Sequence, residues 1–92
     1  MPEDKIQLSH PDGKKMPKID RIKFEKTRSA ILACLKGKAL SHAELIACLK
    51  GSLNGKIDGN ISWYGESMKL HLEAIGAIER FEDARTTKYR LT

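Results

Sequence analysis

The sequence has little of several features that mark specialised classes of protein. It contains two cysteines and three prolines, and aromatic residues make up only 5% of its 92 residues. No apolar run approaches the roughly 18 residues that a helix needs to cross a bilayer, and the N-terminus has no signal-peptide core. Two cysteines are too few for the disulfide framework of a small secreted domain. We therefore expect a cytoplasmic protein with no membrane partner.

What is present is typical of one small globular domain. Apolar residues make up 40% of the chain and charged residues 32%, which is within the ordinary range for globular proteins. A chain of this length buries roughly 64% of its unfolded surface on folding, which is enough for one modest core.

The charge is unevenly distributed along the chain. Lys and Arg outnumber Asp and Glu by 17 to 12, and residues 1–38 hold ten basic and five acidic groups. Such a surplus attracts nucleic acid or another anionic surface. A solvated helix face has the same composition, so the charge alone does not choose a partner.

The cysteines, Cys34 and Cys48, are too far apart for a metal-binding pair of the CxxC type. Both lie on or beside apolar helix stripes, where a free cysteine packs as a small apolar residue. We expect two buried free thiols.

The first 18 residues are predicted to form an irregular arm, and residues 19–92 the folded domain. Three prolines and the turn His10-Pro11-Asp12-Gly13 interrupt any helix in the arm. Only residues 5–8 are suited to a short strand.

Three helices are predicted near residues 20–36, 41–53 and 62–75. Asp20 is a candidate N-cap for the first helix. The second has the pattern of a capping box, in which Ser41 and Glu44 each bind the other's backbone N–H. Gly76 is well suited to end the third. On that third helix, the inner face is predicted to include Tyr64 and Ile75.

After Gly76 the apolar period changes from 3.6 residues to two. Short strands are predicted near residues 77–82 and 87–91, joined by a polar loop into an antiparallel hairpin. The predicted fold class is α+β.

Three helices followed by a hairpin resemble a winged helix-turn-helix domain in which the hairpin is the wing. The resemblance covers residues 20–92 and is strongest in the segments 72–80 (LEAIGAIER) and 87–92 (TKYRLT). The segment 63–74 (WYGESMKLHLEA), with the early His-Pro pair, also resembles an uncharacterised family of small bacterial winged-helix-like proteins of unknown function.

The winged-helix resemblance implies a DNA-associated transcriptional regulator that binds double-stranded DNA. Its third helix would enter the major groove with Ser62, Ser67 and Lys69, while Arg85 and Lys88 of the wing would contact phosphates. We expect binding mainly through phosphate contacts from the basic first helix and the wing, and therefore weak sequence selectivity. Glu66 and Glu73 on the outer side of the third helix would repel phosphates.

A different function follows from the apolar residues of the third helix. Trp63, Leu70 and Ala74 lie nearly opposite its inner face and would form a patch for protein interaction or self-association, without DNA binding. Alternatively, the N-terminal arm covers this patch. We favour burial of Trp63, because hiding a Trp-Leu pair stabilises a small domain.

Catalytic and cofactor motifs are absent from the sequence. It contains no GxSxG, Walker or GxGxxG motif, and its three histidines do not belong to a spaced ligand set. His42, at the start of the second helix, is expected to face solvent. We expect no enzymatic activity, no metal and no cofactor.

Overall fold

Residues 5–92 are described by a computed structural model, and they form three helices with short strands before, between and after them. The elements in chain order are β1 (Lys5–Gln7), β2 (Lys18–Asp20), α1 (Arg21–Cys34), β3 (Leu40–Ser41), α2 (His42–Leu53), α3 (Ile61–Ala74), β4 (Ile78–Asp83) and β5 (Thr86–Leu91). The predicted α+β class, with three helices before a C-terminal hairpin, is confirmed. Within these residues no helix has the length and apolar character needed to cross a membrane.

Side-chain caps set the starts of two helices. The Ser41 hydroxyl accepts from the backbone N–H of Glu44 at 3.2 Å, and the Glu44 carboxylate accepts from the N–H of Ser41 at 2.9 Å. This is the predicted capping box. Asn60 caps α3 by accepting from the N–H of Trp63 at 3.1 Å. Asp20 precedes α1 as expected, but its side chain makes no capping hydrogen bond.

The core lies where the three helices meet the C-terminal hairpin. Its fully buried apolar side chains come from all three helices, the C-cap of α1 and strand β4: Ile31, Leu35, Leu45, Leu49, Met68, Leu72 and Ile78. Gly65 allows α2 and α3 to approach closely, because a Cβ at this position would lie only 2.6 Å from a Leu49 methyl group. Ile75 was predicted to face inward, but it lies beyond the end of α3 and is 58% exposed.

A three-stranded antiparallel sheet joins the C-terminal hairpin to the start of α2. Its strand order is β3-β5-β4, with Leu40 opposite Tyr89 and Ser41 opposite Lys88. The hairpin was predicted, whereas β3 was not. The turn between β4 and β5 consists of two residues, Ala84 and Arg85, so both strands extend into the loop predicted between them. Ala84 and Arg85 both have positive φ, at 50° and 72°, although glycine and asparagine are usual there.

The arm is more ordered than predicted. Its strand β1 pairs antiparallel with β2, with Ile6 opposite Ile19, and the side chains of Leu8 and Ile19 are buried. The ribbon therefore crosses the predicted boundary between residues 18 and 19. Residues 1–4 of the predicted arm lie outside the described residues.

The cysteines form a disulfide, so the prediction of two free thiols is wrong. Cys34 at the end of α1 is bonded to Cys48 in α2, with a Cα–Cα distance of 6.3 Å. Packing of the two helices brings these positions within bridging distance. Their separation of 14 residues in the sequence gave no sign of that approach.

Candidate functional site

An open groove lies between α2 and α3 and has a volume of about 530 Å³. Its apolar lining consists of Ala43, Ile46, Ala47 and Trp63. Its polar lining consists of His42, Lys50, Asn60, Ser62 and Glu66. Apolar walls with a few polar groups are the usual composition of a binding site.

Trp63 stands at this groove with 45% of its surface exposed. The expectation that Trp63 is buried is wrong, and in the described part of the arm the backbone N–H of Ser9 donates to His71, about two turns further along α3. Trp63 instead packs edge-on against Tyr64, with ring centroids 5.0 Å apart. A large apolar side chain is therefore available at the surface.

The aromatic pair is supported from α1. Lys23 donates from Nζ to the Tyr64 hydroxyl at 3.2 Å, and its ammonium lies 5.2 Å from the centre of the Tyr64 ring. Tyr64, predicted to face inward, is partly buried and packs against the core. Contacts to α1 and to the core thus position the residue on which Trp63 rests.

A buried polar cluster lies behind the groove. Lys69 of α3 is 6% exposed, and its Nζ lies 2.9 Å from Nδ1 of His42 and 3.1 Å from the hydroxyl of Tyr89. The ammonium also lies 4.4 Å from the centre of the Tyr89 ring. This cluster joins α2, α3 and β5, and no carboxylate is paired with Lys69 in the described part of the chain.

The surroundings of His42 lower the pKa of its imidazole. Burial is the main cause that lowers its pKa, the positive charge of Lys69 lowers it further, and Glu66 acts in the opposite direction. His42 was expected simply to face solvent. It is exposed, but its ring is also bonded to a core lysine.

The residues predicted to contact bases are not presented together. Ser67 and Lys69 are buried, at 8% and 6% exposure, whereas Ser62 is half-buried and lines the groove. A base edge in the major groove is contacted by side chains that extend from the surface. The exposed carboxylate of Glu66 stands on the same outer side of α3.

In the hairpin, one of the two residues predicted to contact phosphates is exposed. Arg85 is exposed at the turn, and no ion pair involves it within residues 5–92. Lys88 is half-buried and pairs with Asp83 at 3.2 Å. Arg90 pairs with Glu79 on the neighbouring strand. Much of the positive charge of the hairpin is thus compensated within it.

The predicted apolar patch is divided by the fold. Leu70 and Ala74 are half-buried and lie outside the groove lining, so Trp63 alone of the three belongs to it. The rest of the apolar lining comes from α2, which sequence reasoning did not connect with Trp63. The capping box fixed where α2 begins, but no sequence signal showed which of its residues would meet α3.

The described residues contain no group of three or more His, Cys, Asp and Glu side chains that could hold a metal ion. The fold and the groove thus define a small α+β protein with an open surface site. A family model matches residues 5–89, and the chain belongs to that family, the family of unknown function DUF6958. Comparison with curated proteins and with solved structures gave no match.

Proposed function

We propose that this protein is an interaction module that binds an apolar segment of a partner protein in the groove between α2 and α3. The observation that carries the proposal is the 45% exposure of Trp63 beside a groove of about 530 Å³. The proposed role is binding without catalysis.

Trp63 has the properties of an anchor for such a segment. Tryptophan is enriched at interfaces, where it dominates the binding energy when a partner removes it from water. Ala43 and Ala47 leave space beside it because their side chains are small, and Ile46 adds apolar surface. An apolar partner side chain packed there would cover both the indole and the alanines.

Trp63 is the only tryptophan in the chain, so its fluorescence reports directly on the groove. We would select peptides from a randomised display library on the wild-type protein after depletion on the Trp63→Ala variant. Selected peptides should shift the emission of Trp63 to the blue and should lose at least about tenfold in affinity for Trp63→Ala, the loss expected for an interface anchor.

The matched control is Ile22→Ala, which removes another exposed apolar side chain, 61% exposed and on α1. Peptides that bind the groove should retain their affinity for this variant. The proposal would be contradicted if the selected peptides bound Trp63→Ala and Ile22→Ala equally well. It would also be contradicted if the selection yielded no peptide that depends on Trp63.

A second candidate is DNA binding through phosphate contacts. It is favoured by the order of three helices and a hairpin, as in winged-helix domains, and by the basic N-terminal half. Lys14, Lys15 and Lys18 are exposed, and none forms an ion pair with any described residue. Phosphate contacts from these lysines and from Arg85 would allow DNA binding without base contacts from α3.

Salt dependence tests the DNA hypothesis. Duplex DNA titrated by fluorescence anisotropy should lose affinity steeply as salt rises, and Arg85→Ala with Lys88→Ala should reduce the slope of log K against log salt by up to about two. Because Lys88 is already paired with Asp83, most of that change should come from Arg85. Absence of binding to any duplex at low salt would exclude this function.

A further inference from the structure

We propose that His42 and Glu66 form an amide-recognition pair, which binds the C=O and N–H of a peptide group in the segment that occupies the α2–α3 groove. This inference rests on the proposed function and names the chemistry by which the groove recognises its partner. Both residues line the groove, one from each helix.

The hydrogen-bond donor of the pair is Nε2 of His42. A lysine ammonium carries three donors and no acceptor, so the contact of Lys69 Nζ with Nδ1 of His42 at 2.9 Å requires an unprotonated Nδ1. The single proton of the neutral imidazole is then on Nε2. His42 therefore presents an N–H donor at an exposed position.

The core fixes the position of this donor. Lys69 is 6% exposed and is held on its other side by the Tyr89 hydroxyl at 3.1 Å, on the central strand of the three-stranded sheet. A ring whose second nitrogen is bonded to a fixed partner keeps one tautomer and one orientation. Lys69 is thus a positioning residue for His42.

The surroundings of the His42 imidazole disfavour its doubly protonated form. The charged groups that face it are Lys69 and Glu66, and burial together with Lys69 lowers the pKa of His42. A second proton would have to occupy Nδ1, directly against the ammonium of Lys69.

The acceptor of the pair is the carboxylate of Glu66. This side chain is exposed, and within the described residues it makes no ion pair or hydrogen bond. A peptide group offers a C=O to the His42 N–H and an N–H to the Glu66 carboxylate. A carboxylate ligand would be repelled by Glu66, and a cation would find no acceptor on His42, so an amide fits best.

The test uses three small compounds that share an apolar group and differ in the polar one. They are N-methyl isovaleramide, methyl isovalerate and isovalerate, titrated into the full chain and followed by amide chemical shifts up to concentrations on the order of 10 mM. The amide should perturb groove residues and bind about threefold to tenfold more tightly than the isosteric ester, which lacks the N–H donor. Isovalerate should bind most weakly.

Variants assign the effect to the pair. His42→Leu and Glu66→Leu should each remove the preference for amide over ester, whereas Glu66→Gln, which keeps an acceptor oxygen, should retain part of it. The matched control His10→Leu removes a histidine from the arm and should change nothing. Nitrogen chemical shifts of the His42 ring should show the proton on Nε2 in the wild type and a mixture of tautomers in Lys69→Met.

The inference is overturned by equal affinity for amide and ester, by a groove that none of the three compounds perturbs, or by a wild-type His42 protonated on Nδ1. These results are separable from failure of the proposed function. Selected peptides that depend on Trp63 but not on His42 or Glu66 would leave the interaction module standing and remove the pair. An amide preference without any Trp63-dependent peptide would support the amide-recognition pair and contradict the interaction module.

Discussion

The backbone N–H of Ser9 donates to Nδ1 of His71 at 2.9 Å, across 62 positions of the sequence. This bond ties the N-terminal arm to α3. The His71 ring also packs edge-on against Phe24 of α1, with ring centroids 5.4 Å apart. His71 must keep Nδ1 unprotonated to accept this bond, so the packing of the arm depends on the protonation of one imidazole.

This dependence predicts that stability falls under acid conditions. Burial, and secondarily the charge of Arg28, lower the pKa of His71 below its ordinary value of 6.5. A lowered pKa means that the folded state binds its proton less readily than the unfolded state does. The contribution of His71 is therefore complete above about pH 6.5 and is lost as the pH falls through the folded-state pKa.

Urea unfolding at a series of pH values measures this effect. His71→Asn retains a side-chain acceptor but does not titrate, so its unfolding free energy should vary less with pH than that of the wild type. The lowered pKa of His42 contributes in the same direction, and His42→Asn separates the two. A wild-type protein as stable at pH 5 as at pH 7.5 would contradict the prediction.

The disulfide between Cys34 and Cys48 is predicted to stabilise the chain substantially. Closing a loop of this length lowers the entropy of the unfolded state by an amount worth about 3 kcal/mol. Addition of a reducing agent should lower the unfolding free energy by about this amount, and should have no effect on the double variant Cys34→Ala, Cys48→Ala.

The thiol content of freshly isolated protein tests the bond itself. Alkylation before and after reduction should label two cysteines only after reduction, and labelling without reduction would show that the bond is absent. The result also bears on the expected cytoplasmic location, because disulfides are uncommon in that reducing compartment.

Thr27 offers a stabilising substitution. Its side chain is completely buried in α1, and its hydroxyl has no hydrogen-bond partner among the described residues. A buried hydroxyl without a partner loses its hydration without compensation. Thr27→Val keeps the shape and removes the cost, so the unfolding free energy should rise by about 1 kcal/mol or more. The exposed control Thr86→Val should change it by less than about 0.5 kcal/mol.

Elements with local chemical signals were predictable from the sequence. The capping box of Ser41 and Glu44 involves residues three apart, and the change of period after Gly76 marks the hairpin within one short segment. Both signals are complete within a few residues. The strand β3 spans only two residues, so it has no pattern of its own and exists because β5 pairs with it.

The functional site depends on distant pairings that periodicity does not specify. A helical wheel places Trp63 on the outer face but does not show that the arm will bind near His71 and leave it open. Likewise, Lys69 was predicted to face DNA, and only the approach of His42 and Tyr89 explains why this lysine is buried.

The capping box gives the last prediction. Ser41→Ala removes the acceptor for the N–H of Glu44 and should lower the unfolding free energy by about 1 kcal/mol, the usual cost of losing such a cap. Ser52→Ala is the matched control, since Ser52 is exposed near the end of the same helix and alanine has the higher helix propensity. It should be neutral or slightly stabilising. Equal unfolding midpoints for Ser41→Ala and the wild type would mean that α2 does not depend on this cap, and the position of His42, the first residue of the helix, would then need another cause.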